Sequence, residues 1–196
     1  MIGLSGGIGS GKSTAAEILE TLGAKVINSD RLNHDELNTP EVRATLRQWW
    51  GDVVLRDDGT IDRDALRRIV KDDDKRRQLE GLMHPRIALR REALTATYRT
   101  DPDTRAIVWD SPLLFEARLA EQCDCVIFVE ADWAARLQRV AAKRGWKAEE
   151  LDRFENSQKP LDFKKDRADY TVVNNSDIDD LRRQLVSVFS QILSGV

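Results

Sequence analysis

The run Gly6-Gly7-Ile8-Gly9-Ser10-Gly11-Lys12-Ser13 limits what this chain can fold into more than any other segment. Its spacing is G-x-x-x-x-G-K-[ST], which calls for a strand before it and a helix after it. Both flanks comply. Residues 1–5 form a short apolar run, and residues 12–22 carry Ala15, Ala16, Ile18, Leu19 and Leu22 at helical spacing. A chance match at average composition is on the order of one percent for a chain of this length, and the flanks lower it further. Glycines here let backbone N–H groups point at a polyphosphate that a side chain would keep away. The start of the helix adds unpaired N–H groups and partial positive charge. Lys12 is expected to bridge the β- and γ-phosphates of a nucleoside triphosphate, and the Ser13 hydroxyl to bind Mg²⁺.

Downstream, strands and helices alternate. Residues 25–28, 105–109, 124–129 and 169–173 read as strands, and 131–144 and 178–193 as helices. The continuous apolar runs are those of buried parallel strands. The expected fold is α/β: a P-loop NTPase core with a three-layer α/β/α arrangement around a parallel sheet. The middle breaks the rhythm, with helical patterns at 40–50, 63–71, 74–82 and 86–98 and a turn at Asp57-Asp58-Gly59-Thr60. This predicts one kinase domain, with a core at about 1–30, 105–136 and 166–196 and a helical substrate-binding insertion at about 31–104. A lid is predicted at about 137–165; the charged stretch 143–167, which overlaps it, has weak apolar periodicity and reads as a mobile flap.

Composition narrows the class. The chain has 196 residues, enough to bury a core without disulfides or a structural metal. Lys+Arg 31 against Asp+Glu 34 leaves a net charge of −3, without the basic excess of a general nucleic-acid binder. No apolar run is long enough for a membrane span, and Met1-Ile2-Gly3-Leu4-Ser5 has no secretion-signal pattern. Cys123 and Cys125 cannot fill a tetrahedral zinc site with only two distant His. They are read as small half-buried residues facing one side of a strand. A reduced, cytoplasmic setting is expected, with no membrane or nucleic-acid partner.

The loop alone does not choose between kinase, ATPase and GTPase. A switch GTPase needs N-K-x-D after a late strand, and the corresponding Asn174-Asn175-Ser176-Asp177 lacks the lysine. Asp110 follows Ala106-Ile107-Val108-Trp109 at the carboxyl edge of a buried strand, where open parallel sheets bind ligands. It can hold Mg²⁺ or its water shell, or cap the turn at Ser111-Pro112. Asp30 lies just past the second strand on the same edge. It can accept the proton of an attacking hydroxyl, or serve as the N-cap of the next helix. Arg136 and Arg139 share a helix face, with Lys143 and Arg144 beyond. An arginine on a closing flap can supply charge to a transferring phosphoryl group; the alternative is a solvated helix face.

Taken in order, these segments resemble the dephospho-CoA kinase family over nearly the whole chain. The similar pieces include Ile2 through Thr14, Leu22-Gly23-Ala24-Lys25-Val26-Ile27-Asn28-Ser29-Asp30, Asp58-Gly59-Thr60-Ile61-Asp62-Arg63-Asp64-Ala65-Leu66 and His84-Pro85-Arg86-Ile87. Asp110-Ser111-Pro112-Leu113-Leu114-Phe115-Glu116 is the most family-specific, and Ala168-Asp169-Tyr170 with Asn174-Asn175 closes the series. The resemblance implies ATP-dependent phosphorylation of the ribose 3′-hydroxyl of dephospho-CoA, giving coenzyme A and ADP; separately, the chain is expected to be a monomer. It implies Asp30 as the catalytic carboxylate, with Lys12 and Arg139 as phosphate-stabilising cations. ATP would lie on Gly9, Ser10, Gly11, Lys12, Ser13 and Thr14, with Asn175 near the adenine. Acceptor contacts would come from Asp30, His84, Asp110 and Leu114, and Mg²⁺ would be held by Ser13 and Asp110.

Two positions depart from the family pattern. Asn28 stands where the family's D-A-D has its first carboxylate, and Phe154 stands four before Gln158 where an arginine is expected, with Arg153 one place off. His84 either contacts the acceptor or marks a helix start with Pro85 at the first helical position. Trp49-Trp50 is either core or a stacking surface for part of the acceptor. The rival readings are another P-loop kinase of a small hydroxylated acceptor, and a regulatory nucleotide-binding protein that phosphorylates nothing.

Overall fold

The computed structural model describes residues 1–195. Along the chain run β1 (Ile2–Gly6), α1 (Lys12–Thr21), β2 (Ala24–Asn28), α2 (Ser29–Leu37), α3 (Pro40–Trp50), α4 (Arg63–Ile69) and α5 (Asp73–Thr100). Then come β3 (Ala106–Asp110), β4 (Cys125–Glu130), α6 (Trp133–Arg144), α7 (Ala148–Glu155), α8 (Leu161–Lys165), β5 (Tyr170–Val173) and α9 (Ile178–Ser194). The chain divides into two compact units, one of Met1–Asn28 with the residues from Thr97 onward, the other of Ser29–Ala96. No helix among the described residues is long and apolar enough to cross a membrane.

The first unit is a five-stranded parallel sheet in the order β2-β3-β1-β4-β5, flanked by helices. Strand order reverses around β1, so the carboxyl ends of β1 and β3 form the topological switch point of the sheet. One face buries Ile2, Leu4, Ala24, Val108, Ile127, Val129 and Val172 against Ala15, Ile18 and Leu19 of α1 and Leu181, Leu185 and Phe189 of α9. The pleat carries this face on to the strand ends. Val26 pairs with Val108, and two residues on Asn28 pairs with Asp110, so these polar side chains continue the face that α1 covers.

Asp169 closes the sheet edge: its carboxylate accepts the Val126 N–H at 2.7 Å and its own N–H donates to the Val126 carbonyl at 3.0 Å. Cys125 lies in β4, whereas Cys123 ends the short 3₁₀ turn before it, so the two do not share a strand as expected. Neither forms a disulfide, and both are half-buried. Burial first, and the Asp169 charge second, push the Cys125 thiol up to about 11, which leaves it unreactive.

The second unit has its own core of Leu37, Val42, Leu46, Val54, Ile61, Leu66 and Met83, with Trp49 and Trp50 packed on it. The tryptophans are thus core residues. The expected turn at Asp57-Asp58-Gly59-Thr60 forms, joined by a single Leu55–Ile61 bridge. The two helices predicted at 74–82 and 86–98 are one. Pro85 lies inside α5 and starts nothing. An interior proline removes a hydrogen bond and crowds the preceding turn. Here Arg86 and Arg90, one turn apart after Pro85, both hold the buried Glu36 carboxylate of α2, at 2.9 and 3.4 Å. That tertiary pairing anchors the turn that follows the proline.

The stretch 143–167, expected as a flap without helical pattern, contains α7 and α8. Lys164 of α8 explains its placement. The side chain is 1% exposed, and its ammonium donates to Glu116 and Gln158, each at 2.9 Å, and to the Pro112 carbonyl at 3.4 Å. An ammonium this buried is stable only when paired and hydrogen-bonded. Lys164→Met should therefore lower unfolding free energy by about 2–4 kcal/mol, read by urea denaturation, with part recovered by adding Glu116→Leu. Burial pushes the Glu116 carboxyl up, but hydrogen bonds from Lys164 and the Lys159 N–H outweigh this and leave it below the usual range. A carboxyl lowered by folding stabilises above its unfolded pKa and loses that contribution as pH falls through the folded value. The gap in urea midpoint between wild type and Lys164→Met should thus narrow below about pH 4.

Candidate active site

The loop after β1 folds back on itself, with the Ser10 N–H donating to the Gly7 carbonyl at 3.1 Å. Gly9 has φ +78°, and a Cβ there would meet the Arg136 carbonyl at 2.7 Å. Gly11 has φ +93° and starts α1; its Cβ would lie 2.0 Å from Asn174 Nδ2. Both conformation and space therefore demand glycine. The first bond of α1 runs from the Ala15 N–H to the Gly11 carbonyl, so the N–H groups of Lys12, Ser13 and Thr14 have no partner in their own helix. Such a helix start takes an anion. Within the loop, the Ser10 hydroxyl is buried with no hydrogen-bond partner, a polar atom that a bound polar ligand would satisfy.

Lys12 and Asp110 meet as the sequence motif requires. The Lys12 ammonium is ion-paired with Asp110 Oδ1, and Asn28 Nδ2 donates to Asp110 Oδ2 at 2.5 Å. Asp110 is 2% exposed, so each carboxylate oxygen is held by a donor inside the protein. Its oxygens face Lys12 and Asn28, which is pairing and not the capping of the turn at Ser111-Pro112. The register Leu4↔Asp110 and Asn28↔Asp110 sets it between β1 and β2 at the switch point.

The arginines on α6 are occupied differently. Arg136 is buried, ion-paired with Glu155 of α7, and its Nε donates to the Ala131 carbonyl at 3.1 Å. Arg139 donates to the carbonyls of Asn174 at 2.7 Å, Ser10 at 3.3 Å and Gly9 at 3.4 Å. Asn174, absent from the sequence-based set, is buried and its amide donates to the Ser10 carbonyl at 2.7 Å. Together Arg139 and Asn174 clamp the outside of the loop. The signal was present, since Asn174 adjoins Asn175, but only the fold shows which of the two turns inward. Asn175 is exposed, and its Oδ1 accepts the Asp132 N–H at 2.8 Å. Gln158 serves the Lys164 ammonium, and Arg153 lies over the Phe154 ring at 5.0 Å.

Two expected acceptor residues belong to the helical unit. Asp30 is exposed in the first turn of α2, which begins at Ser29, so it is not that helix's N-cap. His84 is exposed on α5. Leu114 belongs to the first unit and is 0% exposed; a Cβ on Gly3 would touch it at 2.9 Å. Leu114 is therefore a core contact of β1, not a surface residue.

No cluster of three or more His, Cys, Asp or Glu that could hold a metal occurs among the described residues. One buried carboxylate, Asp110, and one exposed hydroxyl, Ser13, form a hard oxygen set too small to hold a cation alone. It fits Mg²⁺, which keeps several waters and shares substrate phosphates.

A glycine cradle, a helix start, a lysine and a carboxylate at the switch point of a parallel sheet define a P-loop kinase. The sequence model of the family described as dephospho-CoA kinase matches residues 1–180. A dephospho-CoA kinase of Geobacter metallireducens is 38% identical over 97% of this chain and 96% of its own length. One of Corynebacterium glutamicum is 35% identical over 100% of this chain and 98% of its own. The solved dephospho-CoA kinase of Campylobacter jejuni aligns with a TM-score of 0.71 at 27% identity, covering 99% of this chain and 97% of that one. The chain belongs to the dephospho-CoA kinase family.

Gly11→Ala should strain the loop and displace Asn174. We expect nucleotide affinity to fall by about tenfold or more, measured by calorimetry with a non-hydrolysable ATP analogue. Affinity within a factor of two of wild type would mean that this left-handed turn is dispensable.

Proposed function

We propose that this kinase transfers the γ-phosphoryl group of ATP to the ribose 3′-hydroxyl of dephospho-CoA, with the residues of the β1–α1 loop and Asp30 in the leading roles. The supporting observation is the buried Asp110 carboxylate facing Lys12 at the switch point of the sheet. The N–H groups of Gly9 through Thr14 receive the phosphates. Lys12 leaves Asp110 for the β- and γ-phosphates when nucleotide arrives. Asp30 accepts the proton of the attacking hydroxyl as its oxygen bonds to the γ-phosphorus and the bond to ADP breaks. Ser13 and Asp110 would hold Mg²⁺, which when bound neutralises phosphate charge.

Arg139 supplies its charge by exchanging carbonyl bonds for phosphate ones as residues 137–165 close. Asn175 lies toward the adenine, and His84 toward the acceptor. The setting is cytoplasmic, the working form a monomer, and nucleic acid and membrane are not partners.

The test is ADP release with ATP and Mg²⁺ across dephospho-CoA, AMP, a nucleoside and gluconate. Turnover should appear with dephospho-CoA only. Turnover with another acceptor would mean a different small-molecule kinase; nucleotide binding without turnover would mean a regulatory protein. Asp30→Asn should reduce kcat by about a hundredfold or more while ATP affinity stays within about threefold. Near-normal kcat would remove Asp30 from the proton transfer.

A further inference from the structure

Asn28, at the end of β2, touches the buried carboxylate of the site. Three observations bear on what it does. First, β2 and β3 are parallel with Asn28 and Asp110 in register, so the sheet itself sets the two side chains next to each other on the face that α1 covers. Second, the Asn28 amide is 2.5 Å from Asp110 Oδ2. An ionised carboxylate only accepts, so the amide must present its NH₂ group there and its orientation is settled. Third, the other oxygen, Oδ1, is taken by the Lys12 ammonium. The group formed by Lys12, Asp110 and Asn28 therefore carries one positive charge, one negative charge and a neutral amide. The charges of these three side chains sum to zero.

A carboxylate at position 28 would change that balance. Two carboxylates at this separation in a buried place repel unless a cation lies between them. Lys12 could satisfy one of them, and one negative charge would remain. A divalent cation would relieve it whether or not nucleotide was bound. With asparagine there is no such excess charge, and Asp110 stays held by Oδ2 when Lys12 turns to the phosphates.

We propose that Asn28 is a positioning residue whose amide holds the Asp110 carboxylate without adding charge, so that this chain takes a divalent cation only together with nucleotide. The inference rests on the reading of Lys12, Ser13 and Asp110 as the nucleotide and metal site. It adds that the order of loading is set by residue 28.

The experiment uses the full chain and Mn²⁺ as the probe, tracked by the loss of the free-ion electron paramagnetic resonance signal. Without nucleotide, Asn28→Asp should bind Mn²⁺ at least tenfold more tightly than wild type, and adding an ATP analogue should bring the wild type to tight binding. A second variant reads the positioning role. Asn28→Ala removes the amide without adding charge; it should lower kcat by tenfold or more with KM for ATP changed less than threefold, and should gain no nucleotide-independent Mn²⁺ site. Equal Mn²⁺ affinity of nucleotide-free wild type and Asn28→Asp would overturn the proposal, as would an unchanged kcat in Asn28→Ala. If dephospho-CoA proves not to be the acceptor, that failure shows as absent ADP release in the acceptor panel, and the Mn²⁺ comparison still decides the role of Asn28.

Discussion

A buried carboxylate without a partner is among the most unfavourable groups a protein can hold, and Asp110 at the end of β3 must be paired for the sheet edge to exist. Lys12 and Asn28 supply the pairing from either side. Lys12 opens α1, and Asn28 ends β2. The ion pair thus ties together three consecutive pieces of the phosphate-binding half: the loop, the helix behind it and the strand beside it. It also holds the Lys12 ammonium, largely removed from water, at the start of α1.

Around this centre the loop is restrained from outside. Arg139 and Asn174 grip the carbonyls of Gly9 and Ser10. Arg136 and Glu155 join α6 to α7, while Lys164 fixes α8 to the segment after β3. Arg136 and Lys164, which look solvated in the sequence, are here buried and paired with carboxylates. They link short helices that have little apolar surface of their own. The helical unit uses the same device, with Glu36 held by two arginines just past Pro85.

The alternation of strands and helices, the position of the glycine-rich loop and all five strands of the sheet were legible in the sequence. Buried parallel strands are apolar throughout, and α1 and α9 have one-sided apolar spacing. The stretch 143–167 did not read as helix because α7 and α8, eight and five residues long, are too short to show a sustained apolar stripe and are anchored by ion pairs. Pro85 misled for a similar reason: local propensity ends a helix there, and a long-range pairing carries it on. Leu114 sits in the most family-specific motif, yet motif membership does not distinguish a residue facing ligand from one packed under β1.

By itself, then, the amino-acid order determined the glycine-rich strand-loop-helix and the parallel α/β class, because these depend on local backbone needs and on apolar periodicity; the kinase reading came from the resemblance of the ordered motifs to a family. Only the tertiary structure decided that Asn28 and Asp110 are register partners, that Asn174 and not Asn175 turns inward, and that Arg139 and Lys164 are bound to groups far along the chain. Those pairings depend on which strands lie side by side, and strand order comes from packing the whole sheet, not from any one segment.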